Sequence, residues 1–284
     1  MNEQSALSVS EEECRERLEA AWNAGGIGLQ FTYNDFGFSE AANKRAQDFV
    51  RDKIRATVND PDTTEKLLPS HILGCKRLSI GTNYYATYNK PNVSLVQLGD
   101  NGIERITRDG VISEETLYPL DDLVLATGFD AMTGSLSRIH ITGRNAQPLT
   151  TAWQAGPQSY LGLMTHGFPN LFTITGPGSP SVLSNMLPTI EHHVEWIGEC
   201  LTHLREHNIR EIEPNVKAQD EWVAHGNEVA DKTLRHGCNS WYLGANVPGK
   251  PRVFMPYIEG MPAYREKCSA VAAAGYDGFE LTES

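Results

Sequence analysis

Lys76 and Arg77 stand side by side between Gly74 and the turn-rich stretch Ser79 to Asn83. Adjacent cations are most often a solvated pair, yet here they also suit an anion. Lysine offers a compact charge for a phosphate, and arginine a fixed fork of donors. A second candidate is Gly176-Pro177-Gly178-Ser179-Pro180-Ser181, which follows the apolar run Leu171 to Thr175 and leads into a helix reaching about His207. Pro188 is tolerable only in the first turn of that helix, which puts its start close to Ser184. A strand, a small-residue loop and a helix N-terminus in succession aim free N–H groups and a positive dipole end at whatever covers the loop. A third is Asn239 to Arg252, where Trp241, Lys250 and Arg252 sit among turn formers. Such a loop lines a site, or its tryptophan simply packs.

Two tempting motifs fail. The predicted long helix carries His192, His193, His203 and His207, and the last two share a face at a spacing of four. No acidic partner of the H-E-x-x-H kind accompanies them, so no metal is assigned. Gly26 and Gly28 hint at a dinucleotide fingerprint, but no strand precedes them and Phe31 stands where a third glycine belongs.

The element that must position these groups is Asp121-Asp122-Leu123-Val124-Leu125-Ala126-Thr127-Gly128-Phe129-Asp130. Leu123 to Ala126 predicts a strand buried on both faces and stopped at Thr127-Gly128, where open α/β sheets collect ligands. An ordinary core strand with a glycine turn reads the same way. Leu171 to Thr175 predicts a second short buried strand. Val93 to Leu98 reads as a strand, and Asp109-Gly110 as the turn of a small antiparallel excursion over Ile103 to Ile112 that Pro119 ends. Helices are expected over 8–24, with Ser8 or Ser10 as N-cap, from Ser39 to about Val58, through Leu67 and Leu68, over 215–235, and from Pro262 to Ala274. Val253 to Ile258 reads as extended, and the chain then closes in an acidic tail.

Composition narrows the class. The chain has 284 residues, 40% hydrophobic and 21% charged, with a formal net charge of −12. That balance disfavours nucleic-acid partners, which select basic faces. No apolar run approaches the roughly 20 residues of a membrane span. The first residues lack the basic start and apolar core of a signal peptide, so a cytoplasmic location is expected. Five scattered cysteines, never spaced C-x-x-C, suggest reduced thiols rather than a disulfide frame or zinc site.

Taken in order, the segments resemble the Baeyer–Villiger monooxygenases, flavoproteins of the phenylacetone and cyclohexanone monooxygenase type. The resemblance is carried by Lys76-Arg77, Tyr84-Tyr85-x-Thr87-Tyr88-Asn89-x-Pro91-Asn92-Val93 and Leu123 to Asp130. It continues through Gly176 to Ser181, Ser184-Asn185-Met186-Leu187 and Ser240-Trp241-Tyr242-x-Gly244-Ala245-Asn246-x-Pro248-Gly249-Lys250. It extends over the whole chain but matches only the C-terminal half of such an enzyme. The family's G-x-G-x-x-G turns and its F-x-G-x-x-x-H-x-x-x-W-P signature do not occur here.

The implied fold is α/β, an incomplete version of the flavin monooxygenase fold with two dinucleotide-binding domains. Residues 1–74 resemble the helical layer, 75–120 the second part of the NADP-binding domain and 121–284 the second part of the FAD-binding domain. The implied cofactors are FAD and NADPH, the substrates a ketone and O2, and the product an ester or lactone, with secondary metabolism as the implied setting. The missing glycine-rich motifs imply an N-terminal half supplied from elsewhere. By resemblance, Arg77 is the catalytic arginine that stabilises the anionic oxygen species and the charge on the substrate oxygen. Lys76 resembles a ligand of the NADP 2′-phosphate, and Thr127 and Gly128 the close approach to a cofactor. Met186 is similar to a flavin contact and Trp241 to the tryptophan that packs on the nicotinamide nucleotide. The alternatives are a non-catalytic remnant or interaction subunit lacking FAD, and a relative that oxidises nitrogen or sulfur.

Overall fold

Ser10 and Ser39 each turn a side-chain oxygen back onto the helix that follows, and those two caps set the first helices. Ser10 accepts from the Glu13 N–H and opens helix α1 (Glu11–Ala24), which stops at Gly25 with φ +73°. Ser39 accepts from the Ala42 N–H and opens α2 (Glu40–Thr57). In the computed structural model, residues 3–99 and 102–283 are described, and they divide into two compact units. The first comprises residues 1–73 and 77–128, the second 74–76 and 129–284.

In the first unit α1 and α2 bury Cys14, Leu18, Ala42, Ala46 and Phe49 against Leu29, Tyr33 and Phe36. Asn43 is buried among them and fully used. Its Nδ2 donates to the carbonyls of Phe36 and Leu73, and its Oδ1 accepts the Leu73 N–H at 3.0 Å. That amide therefore pins the chain just before it leaves the unit. Asp60 caps α3 (Pro61–Leu67), with Pro61 at the first position, where its missing N–H costs nothing. The short α4 (Tyr84–Thr87) gathers Tyr84, Tyr85 and Tyr88, and the Tyr84 hydrogen bond followed by burial pushes the Tyr88 hydroxyl up to about 12. The antiparallel excursion forms as β1 (Arg105–Ile106), β2 (Gly110–Ser113) and β3 (Thr116–Pro119), turning at Asp109 and ending at Pro119.

The second unit begins with short helices α5 (Gly134–Ser137) and α6 (Leu149–Ala152). Its core lies among α7 (Met186–Glu206), α8 (Val216–Asp231) and α9 (Met261–Ala273), which enclose Trp196, Cys200, Trp222, Tyr264 and Cys268. The Trp222 and Tyr257 rings stack there at 5.1 Å. β4 (Ile209–Pro214) and β5 (Phe279–Glu283) pair antiparallel. Residues 279–283 are thus a strand and not the acidic tail expected: Phe279 and Leu281 pack on the core while Glu280 and Thr282 take the opposite, solvent face.

Three apolar runs depart from expectation. Leu123 to Ala126 belongs to no strand among the described residues, and none of its side chains is buried. Val124 is 85%, Leu125 64% and nearby Phe129 89% exposed. Val93 to Leu98 has no strand partner either, and Leu171 to Thr175 runs into a turn, with Ile174 exposed. A run of β-formers becomes a strand only if another segment satisfies its ladder, and no described segment does so. The thiols depart too. Cys75 and Cys238, both in the second unit, are joined with their Cα atoms 5.7 Å apart, within the reach of a disulfide. Cys14, Cys200 and Cys268 are free and buried. No helix of the described residues is long and apolar enough to cross a membrane.

Candidate functional site

The expected site residues fall into two sets. Arg77, Thr127 and Gly128 belong to the first unit, and Lys76, Met186 and Trp241 to the second. Five of the six face solvent, and Trp241 is half-buried. Gly128 has φ +82°, and a Cβ placed on it would meet nothing within 4 Å. A glycine is therefore required there by backbone conformation, with open space in front of it.

In the second unit, segments far apart in sequence converge. Asn246 Nδ2 donates to the Phe129 carbonyl at 2.8 Å, and Lys250 Nζ donates to Asp130 Oδ1 at 2.5 Å and to the Ala131 carbonyl at 3.0 Å. Ser181 Oγ lies 3.6 Å from Met132 Sδ. Loops 129–132, 181–186 and 239–250 are thereby tied together. The Cys75–Cys238 bond adds the segment bearing Lys76 to the start of the Trp241 loop. Trp241 packs on Tyr242 at 4.2 Å between ring centroids, and Ser240 accepts the Tyr242 N–H.

The helix behind the Gly/Pro/Ser loop begins where its cap dictates. Asn185 accepts the Leu187 N–H at 3.1 Å, so α7 starts at Met186, and Pro188 falls within its first turn. Met186 and Leu187 project from that end into solvent. Two turns further on, His193 is 0% exposed and performs a task that periodicity could not reveal. Its Nδ1 faces the Thr175 N–H at 2.9 Å and must accept, which assigns the ring proton to Nε2, 2.8 Å from Tyr264 Oη. The Tyr264 hydroxyl then donates to the Leu161 carbonyl at 2.6 Å. This relay holds Thr175, at φ +54°, immediately before Gly176. Only a neutral imidazole can accept there. Burial first, and the charge of His192 second, lower the His193 pKa to about 4.

The sign follows from linkage. Unfolded, the imidazole takes a proton near pH 6.5; folded, only near 4. Stability is therefore complete above about pH 6.5 and declines as the pH falls towards 4, since the unfolded state binds the extra proton. Urea unfolding is expected to show a loss of about 2 kcal/mol between pH 7.5 and pH 5 attributable to this group. His193→Gln should be less stable at pH 7.5 but should lack that part of the pH dependence. An identical pH dependence in the variant would show that His193 is not the titrating group.

Signals for these residues in the sequence are uneven. Asp130 and Lys250 lie in stretches already singled out, but nothing local pairs them across 120 positions. His193 looked like one helical histidine among four.

No family model matches the chain. It is 40% identical over 278 residues to acetone monooxygenase (methyl acetate-forming) of Gordonia sp., aligning 96% of this chain with 52% of that protein. It is 42% identical over 280 residues to a phenazine N-monooxygenase of Lysobacter antibioticus, aligning 98% of this chain with 51% of that one. Among solved structures, cyclohexanone monooxygenase from Rhodococcus bound to NADP+ superposes with a TM-score of 0.96 at 40% identity, covering all of this chain and 53% of the other. A complex titled OTEMO with FAD and NADP gives 0.94 at 35%, covering 99% and 52%. The chain spans about half the length of the relatives it matches, and it has the α/β fold of the corresponding part of these flavin monooxygenases.

Proposed function

We propose that this chain, homologous to the Baeyer–Villiger monooxygenases across about half of their length, is the C-terminal half of an FAD- and NADPH-dependent enzyme. The reaction is insertion of one oxygen atom of O2 beside a ketone carbonyl, giving an ester or lactone. The observation that supports this most is the convergence of loops 129–132, 181–186 and 239–250 in one unit. Each is, or adjoins, a segment whose residues the resemblance assigns to a cofactor. On this reading residues 1–74 are the helical layer, 75–120 part of the NADP-binding domain and 121–284 part of the FAD-binding domain.

The residues fit these cofactors at one end and not at the other. Lys76, Arg77, Thr127, Gly128 and Met186 are exposed rather than consumed in a core, as surfaces awaiting a ligand must be. The glycine-rich strand–turn–helix that cradles a dinucleotide pyrophosphate does not occur in the sequence, so a second segment must bring it. When bound, FAD would supply the activation of O2 and NADPH the reducing equivalents for it. Arg77 then holds negative charge on oxygen, a role in which a permanent guanidinium acts most strongly once water is excluded. Lys76 binds the 2′-phosphate of the nicotinamide nucleotide as a compact cation. Trp241 covers that nucleotide. The α7 N-terminus beside Met186 would favour negative charge on a reduced flavin held near it.

The test is to purify the chain alone and together with the complementary half of a relative, and to record the visible spectrum and NADPH consumption. A yellow complex that turns a cyclic ketone into its lactone is expected in the second case. Colourless protein that leaves NADPH untouched in both cases overturns the enzyme reading and leaves that of an interaction subunit without FAD. The 42% identity to a phenazine N-monooxygenase favours a second reading, oxygen transfer to an aromatic nitrogen. Assaying a ketone and a phenazine in parallel separates the two. Within the same assay, Lys76→Ala should raise the KM for NADPH about tenfold and leave that for NADH unchanged, since only the former carries the extra phosphate. An equal effect on both removes Lys76 from that role.

A further inference from the structure

Lys250 is a cation for which the proposed chemistry has no use, yet it is withdrawn from solvent. Its side chain is 12% exposed, and the Asp130 side chain that it meets is 29% exposed. An exposed lysine–aspartate pair contributes little, because ordering two side chains offsets most of the attraction. This pair is sunk into the unit, and its neighbours make room for it. A Cβ on Gly134 would lie 2.5 Å from the Asp130 carboxyl carbon. A Cβ on Gly244, whose φ is +73°, would lie 3.1 Å from the Lys250 stem and from the Pro251 carbonyl. Asn246 adds a parallel link to the Phe129 carbonyl, next to Asp130. Between Asn246 and Lys250 the backbone bonds of the loop are local, from Val247 to Gly244 and from Lys250 to Val247, while nearer Trp241 the Tyr242 carbonyl accepts the Met255 N–H at 2.9 Å. Its start is held separately, by Cys238 bonded to Cys75.

We propose that Asp130 and Lys250 form a clasp that fixes loop 239–250 on the segment 129–131 and thereby sets the position of Trp241. Both are positioning residues, since they act through the loop. What the placed tryptophan serves rests on the function proposed above, whereas the clasp itself can be read without any cofactor. Breaking it leaves a partly buried charge unpaired, which costs more than losing an exposed pair, and the loop relieves that cost by opening to water.

The experiment uses the full chain and isolates the Trp241 emission by subtracting a Trp241→Phe counterpart of each variant. Lys250→Met and Asp130→Asn should each make that emission about three times more steeply quenched by acrylamide, with native circular dichroism retained. The double variant should be no worse than either single one, and Lys250→Arg should stay near the parent. Parental quenching in both neutral variants overturns the clasp. So do additive effects in the double variant, which assign the change to packing. Should Lys250→Met fail to fold, Asp130→Asn decides alone, because it removes the charge and keeps the shape. Since the readout needs no flavin, a colourless protein with a working clasp would overturn the function and leave this inference standing.

Discussion

Arg77→Ala is expected to leave flavin reduction by NADPH intact and to cut oxygen transfer about 100-fold or more, when the chain is assayed with the half that completes the flavin site. The two steps ask different things of the protein. Hydride transfer needs the nicotinamide held against the flavin, which is the work assigned to Lys76 and Trp241. Oxygen transfer needs a fixed positive charge where oxygen carries a negative one, and preorganised charge of that kind is worth about 100-fold or more in rate. Ester formation should fall by about that factor while anaerobic reduction proceeds at the parental rate. Arg77→Lys should recover little, because an ammonium ion lacks the planar fork. A normal ester yield from the alanine variant would show that Arg77 is a surface cation and no part of the reaction.

Val124→Pro is expected to be silent in the isolated chain and severe in the assembled protein. Val124 is 85% exposed and lies in no strand among the described residues, so a proline removes no ladder hydrogen bond that the chain makes by itself. Surface changes of this sort usually stay within about 0.5 kcal/mol, and the urea midpoint should hardly move. The same run, Leu123 to Ala126, becomes a buried strand if a complementary half lays strands beside it. Proline then withdraws an N–H from a central ladder and clashes with the neighbouring strand. Association with that half should weaken by about 100-fold or more, read by titration calorimetry or by loss of the flavin spectrum on dilution. If association is unchanged, residues 121–128 are not the seam. If the isolated variant unfolds, the run already has a structural role in this chain.

These two predictions come from opposite kinds of legibility. Arg77 stands out in the sequence because guanidinium chemistry is a property of the residue and the motif around it is local. The bareness of Leu123 to Ala126 is invisible there, since four apolar residues before a glycine read as a core strand whether or not a neighbour exists. The structure also shows Leu171 to Thr175 as a turn, with Thr175 held through His193, a residue that from sequence is only one of four helical histidines.

What the sequence determined alone was therefore what depends on contacts three or four residues away. The caps Ser10 and Ser39 placed helix starts because each cap bonds an N–H within the first turn that follows it, and Pro188 put the start of the long helix close to Ser184, one residue from the observed cap Asn185. The hairpin at Asp109-Gly110 closed as expected because its partners are adjacent in the chain. Tertiary structure alone decided which apolar runs find a ladder, that Cys75 meets Cys238 across 163 positions, and that Lys250 meets Asp130 across 120. Each of those depends on a partner whose distance along the chain is unconstrained by local geometry, so the residue types permit the contact and only the folded backbone selects it.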